Sequence, residues 1–264
     1  MSDFFNRTNQ ALLNWGWKLK SAFEPKIYYI TNRLHYYFCM EEAEPSKRRD
    51  VLSDRFLLAY LIYKSRARDL GKTKIQKLVF FIESELAERN IKTFDYDFKR
   101  SNFGAISGTV KEDLKELKAC DILTEKTHKQ FQYEHNFFAL TDNGREIIEE
   151  SDELLGENRD LINNVDAILQ KYDQLPLDTI LKIAYARKVE VDGKLVKIKD
   201  VRKGTDLNAG ISEADSKNKL RMDDDWRETF CILFDRDECK SHNEALRDAR
   251  EGRCSACDMG VDGL

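Results

Sequence analysis

Between residues 54 and 69, Phe56, Leu57, Tyr60, Leu61 and Tyr63 recur at three- and four-residue steps, the period that gathers side chains on one face of a helix. Gly71 stands where a C-terminal cap is expected. A second amphipathic helix is predicted from Lys72 to about Asn90, with Thr73 as its cap and Ile75, Leu78, Val79, Phe80, Phe81 and Ile82 along it. A polar loop, 95–107, follows. Ser107 is placed to cap a third helix, 108–119, in which Val110, Leu114 and Leu117 fall at i, i+4 and i+7. The chain then turns through Asp121 into a strand pair, 122–124 and 131–140. Helices followed by a β-hairpin, with leucines on one side, form a winged-helix layout. Such a unit is a binding module that brings no catalytic machinery of its own.

The same periodicity organises the flanks. Leu12, Trp15, Leu19, Ala22 and Phe23 form one apolar stripe, and Ile27, Ile30, Leu34, Tyr37 and Phe38 form another, with Pro25 separating them. Residues 1–40 are therefore expected to be an aromatic helical hairpin. A charged linker, 41–53, joins it to the central domain, 54–187. After Asn143-Gly144 the apolar line Ile147, Ile148, Leu154, Leu155, Leu161, Ile162, Val165 and Leu169 predicts one long helix from Arg145 to about Tyr172. Pro176 opens a short helix. Asp192-Gly193 within an alternating run predicts a β-hairpin over 188–199. Residues 200–222 are polar and glycine-containing and are expected to be a flexible linker. The segment 223–264 is expected to hold a last helix, opened by Asp223-Asp224-Asp225, and a cysteine-rich tail.

Composition narrows the function classes. Gly and Pro together number 15 in 264 residues, which favours long helices and a mainly α fold with a small β-hairpin. The net charge is −4, whereas a chain that held duplex DNA chiefly through phosphate contacts would be basic. No run approaches the roughly 20 apolar residues of a membrane span, and no basic, apolar leader opens the chain. A cytoplasmic location is expected, and the membrane is not expected as a partner. The stripe of residues 1–40 is expected to be buried, against the central domain or against a second subunit of a homo-oligomer.

Several runs resemble the Panacea domain of the SocA-like antitoxin family. They are Lys72-Thr73-Lys74-Ile75-Gln76-Lys77-Leu78, Asp97-Phe98-Lys99-Arg100-Ser101-Asn102-Phe103-Gly104 with Ser107-Gly108-Thr109-Val110 after it, Leu140-Thr141-Asp142-Asn143-Gly144-Arg145, and Pro176-Leu177-Asp178-Thr179-Ile180-Leu181-Lys182-Ile183-Ala184-Tyr185. The resemblance covers about half the chain. It implies a winged-helix-like domain that binds and neutralises a partner toxin without catalysing a reaction. A DNA-binding transcriptional regulator is the alternative, and a defence-associated protein with a membrane-surface or oligomerising N-terminal element is a third.

The candidate chemistry fits binding better than catalysis. On the helix 108–119, Lys111, Lys115 and Lys118 are matched by Glu112, Asp113 and Glu116, and no Arg, Asn or Gln is present to read base edges. DNA binding is accordingly expected to be weak. The loop residues Phe98, Lys99, Arg100, Ser101, Asn102 and Phe103 set two cations and two small polar groups beside two aromatics, a composition met at interface hot spots. The four histidines are scattered, and none has a Ser, Cys or acidic companion at a catalytic spacing. Near the C-terminus, Cys239-x2-His242 and Cys254-x2-Cys257 form two short chelating pairs. These four residues are candidate ligands of one structural zinc ion, against the alternative of a glycine-rich tail with incidental cysteines.

Overall fold

A computed structural model describes residues 50–67, 70–130, 133–191, 193–207 and 220–250. The expected aromatic hairpin of residues 1–40 and most of the charged linker lie outside the described residues. The elements in chain order are α1 (Val51–Lys64), α2 (Lys72–Ala87), β1 (Phe98–Ser101), β2 (Gly104–Ile106), α3 (Gly108–Ala119), β3 (Leu123–Gln130) and β4 (Tyr133–Leu140). They continue as α4 (Asp142–Glu150), α5 (Asp152–Glu157), α6 (Arg159–Tyr172), α7 (Leu177–Ala186), β5 (Lys188–Val191), β6 (Lys194–Lys197), a 3-10 turn (Ile198–Asp200), β7 (Asp206–Leu207), α8 (Asp224–Phe234) and α9 (Arg236–Arg250). The mainly helical class read from the sequence holds, and the described residues form three small antiparallel sheets ordered β2-β1-β7, β3-β4 and β5-β6.

The centre of the molecule is α2. Every residue from Lys74 to Glu83 is buried. The helix has no water-facing side over these turns, although Lys74, Gln76, Lys77 and Glu83 are buried there along with the apolar side chains. It packs on α6, α7, β2 and β4. Phe80 meets Phe98 edge-on with ring centroids 5.2 Å apart, and Phe81 meets Tyr172 at 4.5 Å. Fully burying one such side chain contributes about 1.5–3 kcal/mol.

Several boundaries differ from the pattern-based reading, each for a local reason. The first helix begins at Val51, inside the supposed linker, because the Asp50 carboxylate caps it through the Ser53 amide. It ends at Lys64, where Asp173 takes hold of the Ser65 hydroxyl at 2.5 Å and the Arg66 amide at 2.6 Å. Gly71 is therefore no C-cap: it precedes α2 in an extended conformation and bridges Phe137, and no side chain caps α2. The long helix expected over 145–172 is three helices. Ser151 turns its hydroxyl onto the Ile147 carbonyl, and Asn158 spans the Leu154 and Arg221 carbonyls, each at 2.8 Å. Breaks of this kind come from side chains that compete with the helix for backbone groups.

The supposed flexible linker 200–222 is tied down at both described ends. Strand β7 pairs Leu207 with Phe98 and Asp206 with Lys99, while Leu220 and Met222 are buried. Nor is the C-terminal part an appendage. In α8, capped by Asp223 as its charge predicts, Phe230 meets Phe56 at a tilt with ring centroids 5.0 Å apart and stacks with Phe234 at 4.8 Å. Arg227 pairs with Asp50 at 2.8 Å, and Arg55 reaches the Phe234 carbonyl at 2.5 Å. The tail expected beyond α8 continues as a second helix, α9.

Candidate functional site

The polar loop read from the sequence is a β-hairpin. Lys99 pairs with Ile106, Arg100 with Ala105 and Ser101 with Gly104, leaving Asn102 and Phe103 as a two-residue turn. Alternation along β1 sorts its side chains by face. Phe98 and Arg100 point into the core, whereas Lys99 is exposed and Ser101 half-buried. Phe103 is 60% exposed at the tip and Asn102 is exposed beside it. The six candidate partner-binding residues thus divide: Lys99, Asn102 and Phe103 face outward, with Ser101 at the margin. Phe98 is a core residue, and Arg100, expected as a surface cation, is only 9% exposed.

Arg100 is a stitch that holds the hairpin to the end of the β5-β6 region. Its Nε donates to the Ile198 carbonyl at 2.7 Å, and its backbone exchanges bonds with Thr205 and Gly204, both at 2.8 Å. The guanidinium lies 5.2 Å from the Tyr185 ring centre, within cation–π range. The Tyr185 hydroxyl in turn donates to the Asn102 carbonyl in the hairpin turn. One guanidinium nitrogen, Nη1, is buried and has no hydrogen-bond partner among the described residues.

Beneath the hairpin, α2 supplies two further anchors. The Gln76 side-chain amide pairs with both backbone groups of Ser107, donating to its carbonyl at 2.8 Å and accepting from its amide at 2.7 Å. Ser107 is thereby fixed as the cap of α3. Lys77 is fully buried, and its ammonium donates to the carbonyl of Ala105, the residue directly across from Arg100. Burial first, and the Arg100 guanidinium second, push the Lys77 ammonium down from 10.5 to about 8. Gly104, at φ +84, lets the backbone turn here and approach the Lys77 stem. Lys77, Gln76 and Tyr185 escaped the site reading from residue chemistry. The available signal was the unbroken apolar run from Leu78 to Ile82, which follows Lys77 directly and marks this stretch of α2 as a buried helix.

Two other clusters are structural in character. Glu85 receives Tyr172, Lys171 and Arg187. Burial pushes its carboxyl up, but these three donors outweigh it and hold the carboxyl below the usual range. Glu83 is buried with one carboxylate oxygen unbonded. Burial raises it well above the ordinary 4.5, against the pull of Lys92 and with help from Asp54, Asp95 and Asp97.

The helix α3, expected to show matched charges, turns Asp113 inward instead. Its carboxylate is 1% exposed and takes Arg55 at 3.0 Å and the Tyr96 hydroxyl at 2.9 Å. The surface of α3 keeps Lys111, Lys115 and Lys118 with Glu112 and Glu116, and Lys118 is paired with Glu125 at 2.7 Å. Of the four candidate zinc ligands, Cys239 lies on α9, packed at the core margin, and its thiol contact with Cys120 holds the Cys120 thiol above its ordinary range. His242 is three residues further along α9, and Cys254 and Cys257 lie outside the described residues. Among the described residues no cluster of three or more His, Cys, Asp or Glu is arranged to hold a metal ion, and no helix is long and apolar enough to cross a membrane.

The chain matches no protein-family model, and no curated protein is significantly similar to it. The resemblance to the Panacea domain therefore rests on the sequence runs themselves.

Proposed function

We propose that this chain is a non-enzymatic, antitoxin-like or adaptor protein whose winged-helix-like centre presents the β1-β2 hairpin to a protein partner. The carrying observation is the contrast within that hairpin. Its base is over-determined by Phe98, Arg100, Lys77 and Tyr185, while its tip leaves Phe103 60% exposed. A large aromatic held outward on a rigid base forfeits little conformational entropy on binding, which is the property of an interface anchor. Exposed Lys99 and Asn102 supply a polar rim around it.

The winged-helix reading draws support from element order and from one backbone pairing. Helices α1, α2 and α3 precede the long β3-β4 hairpin. The segment between α1 and α2 joins that hairpin through the Gly71–Phe137 bridge and a 3.0 Å bond from the Phe138 amide to the Leu70 carbonyl. A short extended segment added to a two-stranded wing is the arrangement such a domain uses. The step from binding module to antitoxin rests on the family resemblance.

A co-expression experiment tests this reading. The product of the open reading frame adjacent to this gene is induced alone, with the wild-type chain, and with a Phe103→Asp variant. Growth arrest relieved by the wild-type chain and not by the variant is the expected result. An adjacent product that neither slows growth nor co-purifies with the chain removes the antitoxin reading.

A further inference from the structure

Burying a charge is costly unless an opposite charge or a full set of hydrogen bonds accompanies it. The base of the β1-β2 hairpin breaks this rule twice over. Lys77 is 0% and Arg100 9% exposed. Both address one cross-strand pair, Lys77 through the Ala105 carbonyl and Arg100 as the residue opposite Ala105. Among the described residues neither is paired with a carboxylate. Their protein acceptors are two neutral carbonyls, those of Ala105 and Ile198. Arg100 Nη1 has no acceptor among the described residues, and the charged group acting on Lys77 is Arg100 itself, another cation.

We propose that Lys77 and Arg100 form a binding site for a small oxyanion, a carboxylate or phosphate group, seated between the Lys77 ammonium and Arg100 Nη1. The chemistry of the two donors fits that class. A guanidinium offers a planar fork and an ammonium offers a point charge with three donors, and together they are the usual recognition pair for these anions. Of the ammonium's three donors, the Ala105 carbonyl occupies one. Tyr185 is the door: it is half-buried, its ring lies over the guanidinium, and its hydroxyl is latched to the Asn102 carbonyl in the hairpin turn. Opening it requires release of that bond and of the packing of the Tyr185 ring against the edge of the core. Arg100 is bonded to both Ile198 and the 204–205 turn, so an anion at this position would also brace the hairpin against the β5-β6 region. The site is independent of any contact made by Phe103, so its failure and the failure of protein docking are read separately.

The test uses the full chain, isotopically labelled, in an amine buffer with chloride as the supporting anion. Inorganic phosphate and acetate are titrated in separate arms at constant ionic strength, and the Arg100 side-chain Nε–H signal is followed. Saturable movement of that signal is expected in at least one arm, and which arm responds separates a phosphate from a carboxylate ligand. Binding is expected to weaken about tenfold or more in Lys77→Met, the scale of one lost charge-assisted contact. A bound anion favours the protonated ammonium, so calorimetry near pH 8 should also record proton uptake in the wild type and none in the variant. If Lys77→Met does not fold, the wild-type titration and proton uptake decide alone. An Arg100 signal that moves no more in phosphate and acetate than in added chloride overturns the proposal.

Discussion

Replacing Lys77 with methionine should change how stability responds to alkaline pH, by an amount set by the burial of one ammonium. In the folded chain Lys77 titrates near 8, whereas its ordinary value is 10.5. Because the folded value is depressed, the unfolded chain holds the proton more tightly across this window. Stability then rises with pH wherever the unfolded state binds more protons. The penalty is fully present below about pH 8, is relieved between pH 8 and 10.5, and is gone above. At about 1.4 kcal/mol per pH unit the whole window is worth about 3 kcal/mol, and the accessible range from pH 8 to 10 should show about 2 kcal/mol of it. Urea unfolding of the wild type and Lys77→Met, measured at half-unit intervals from pH 7 to 10 in amine-chloride buffers, gives the difference directly. Other titrating groups contribute equally to both proteins and cancel. The wild type should gain on the variant as pH rises. Parallel stability curves would show that Lys77 keeps an ordinary ammonium in the fold, and the description of the hairpin base as a desolvated dication would be wrong.

Three further outcomes follow from other sites. Glu83→Gln should stabilise the chain at neutral pH and less so near pH 4: the folded carboxyl is raised, so wild-type stability falls as pH climbs above 4.5, and a pH-independent advantage for the amide in urea melts would refute the assignment. Gly144→Ala should lower stability by about 1–3 kcal/mol or more, because a Cβ would sit 2.2 Å from the Ile122 carbonyl oxygen, which also receives Thr141; thermal melts unchanged by the substitution would contradict that packing. Duplex DNA from the chain's own promoter should bind with a midpoint weaker than about 1 µM at physiological salt and without sequence preference, and tight, sequence-dependent retardation abolished by Lys111→Glu and Lys115→Glu would restore α3 as a reading helix.

What the sequence displayed was whatever its neighbours along the chain decided. Ser107 caps α3 and Asp223 caps α8 because the amides they serve lie three residues ahead. The β5-β6 hairpin forms where the alternating run predicted it, with Gly193 at φ +73, because the turn chemistry is local. The β1-β2 hairpin was hidden because Lys99, Arg100, Ser101 and Asn102 are poor strand formers by composition. Their strand is completed by Asp206 and Leu207, about a hundred residues later. The breaks at Ser151 and Asn158 were hidden likewise, since Asn158 is drawn out of the helix by the distant Arg221. At the site, Phe103 was legible as an aromatic in a polar run. The burial of Arg100 was not, since it depends on Ile198 and Tyr185 arriving from elsewhere.

The role of the hairpin tip is tested most directly by calorimetric titration of the product of the adjacent open reading frame into the wild type and into Phe103→Ala. Phe103 is exposed, so the substitution should leave the thermal midpoint unchanged, within the roughly 0.5 kcal/mol typical of surface changes. Loss of a hot-spot aromatic should weaken binding by about 30-fold, equivalent to about 2 kcal/mol. Equal affinity for the two proteins would place the partner contact elsewhere and contradict the hairpin as the docking surface.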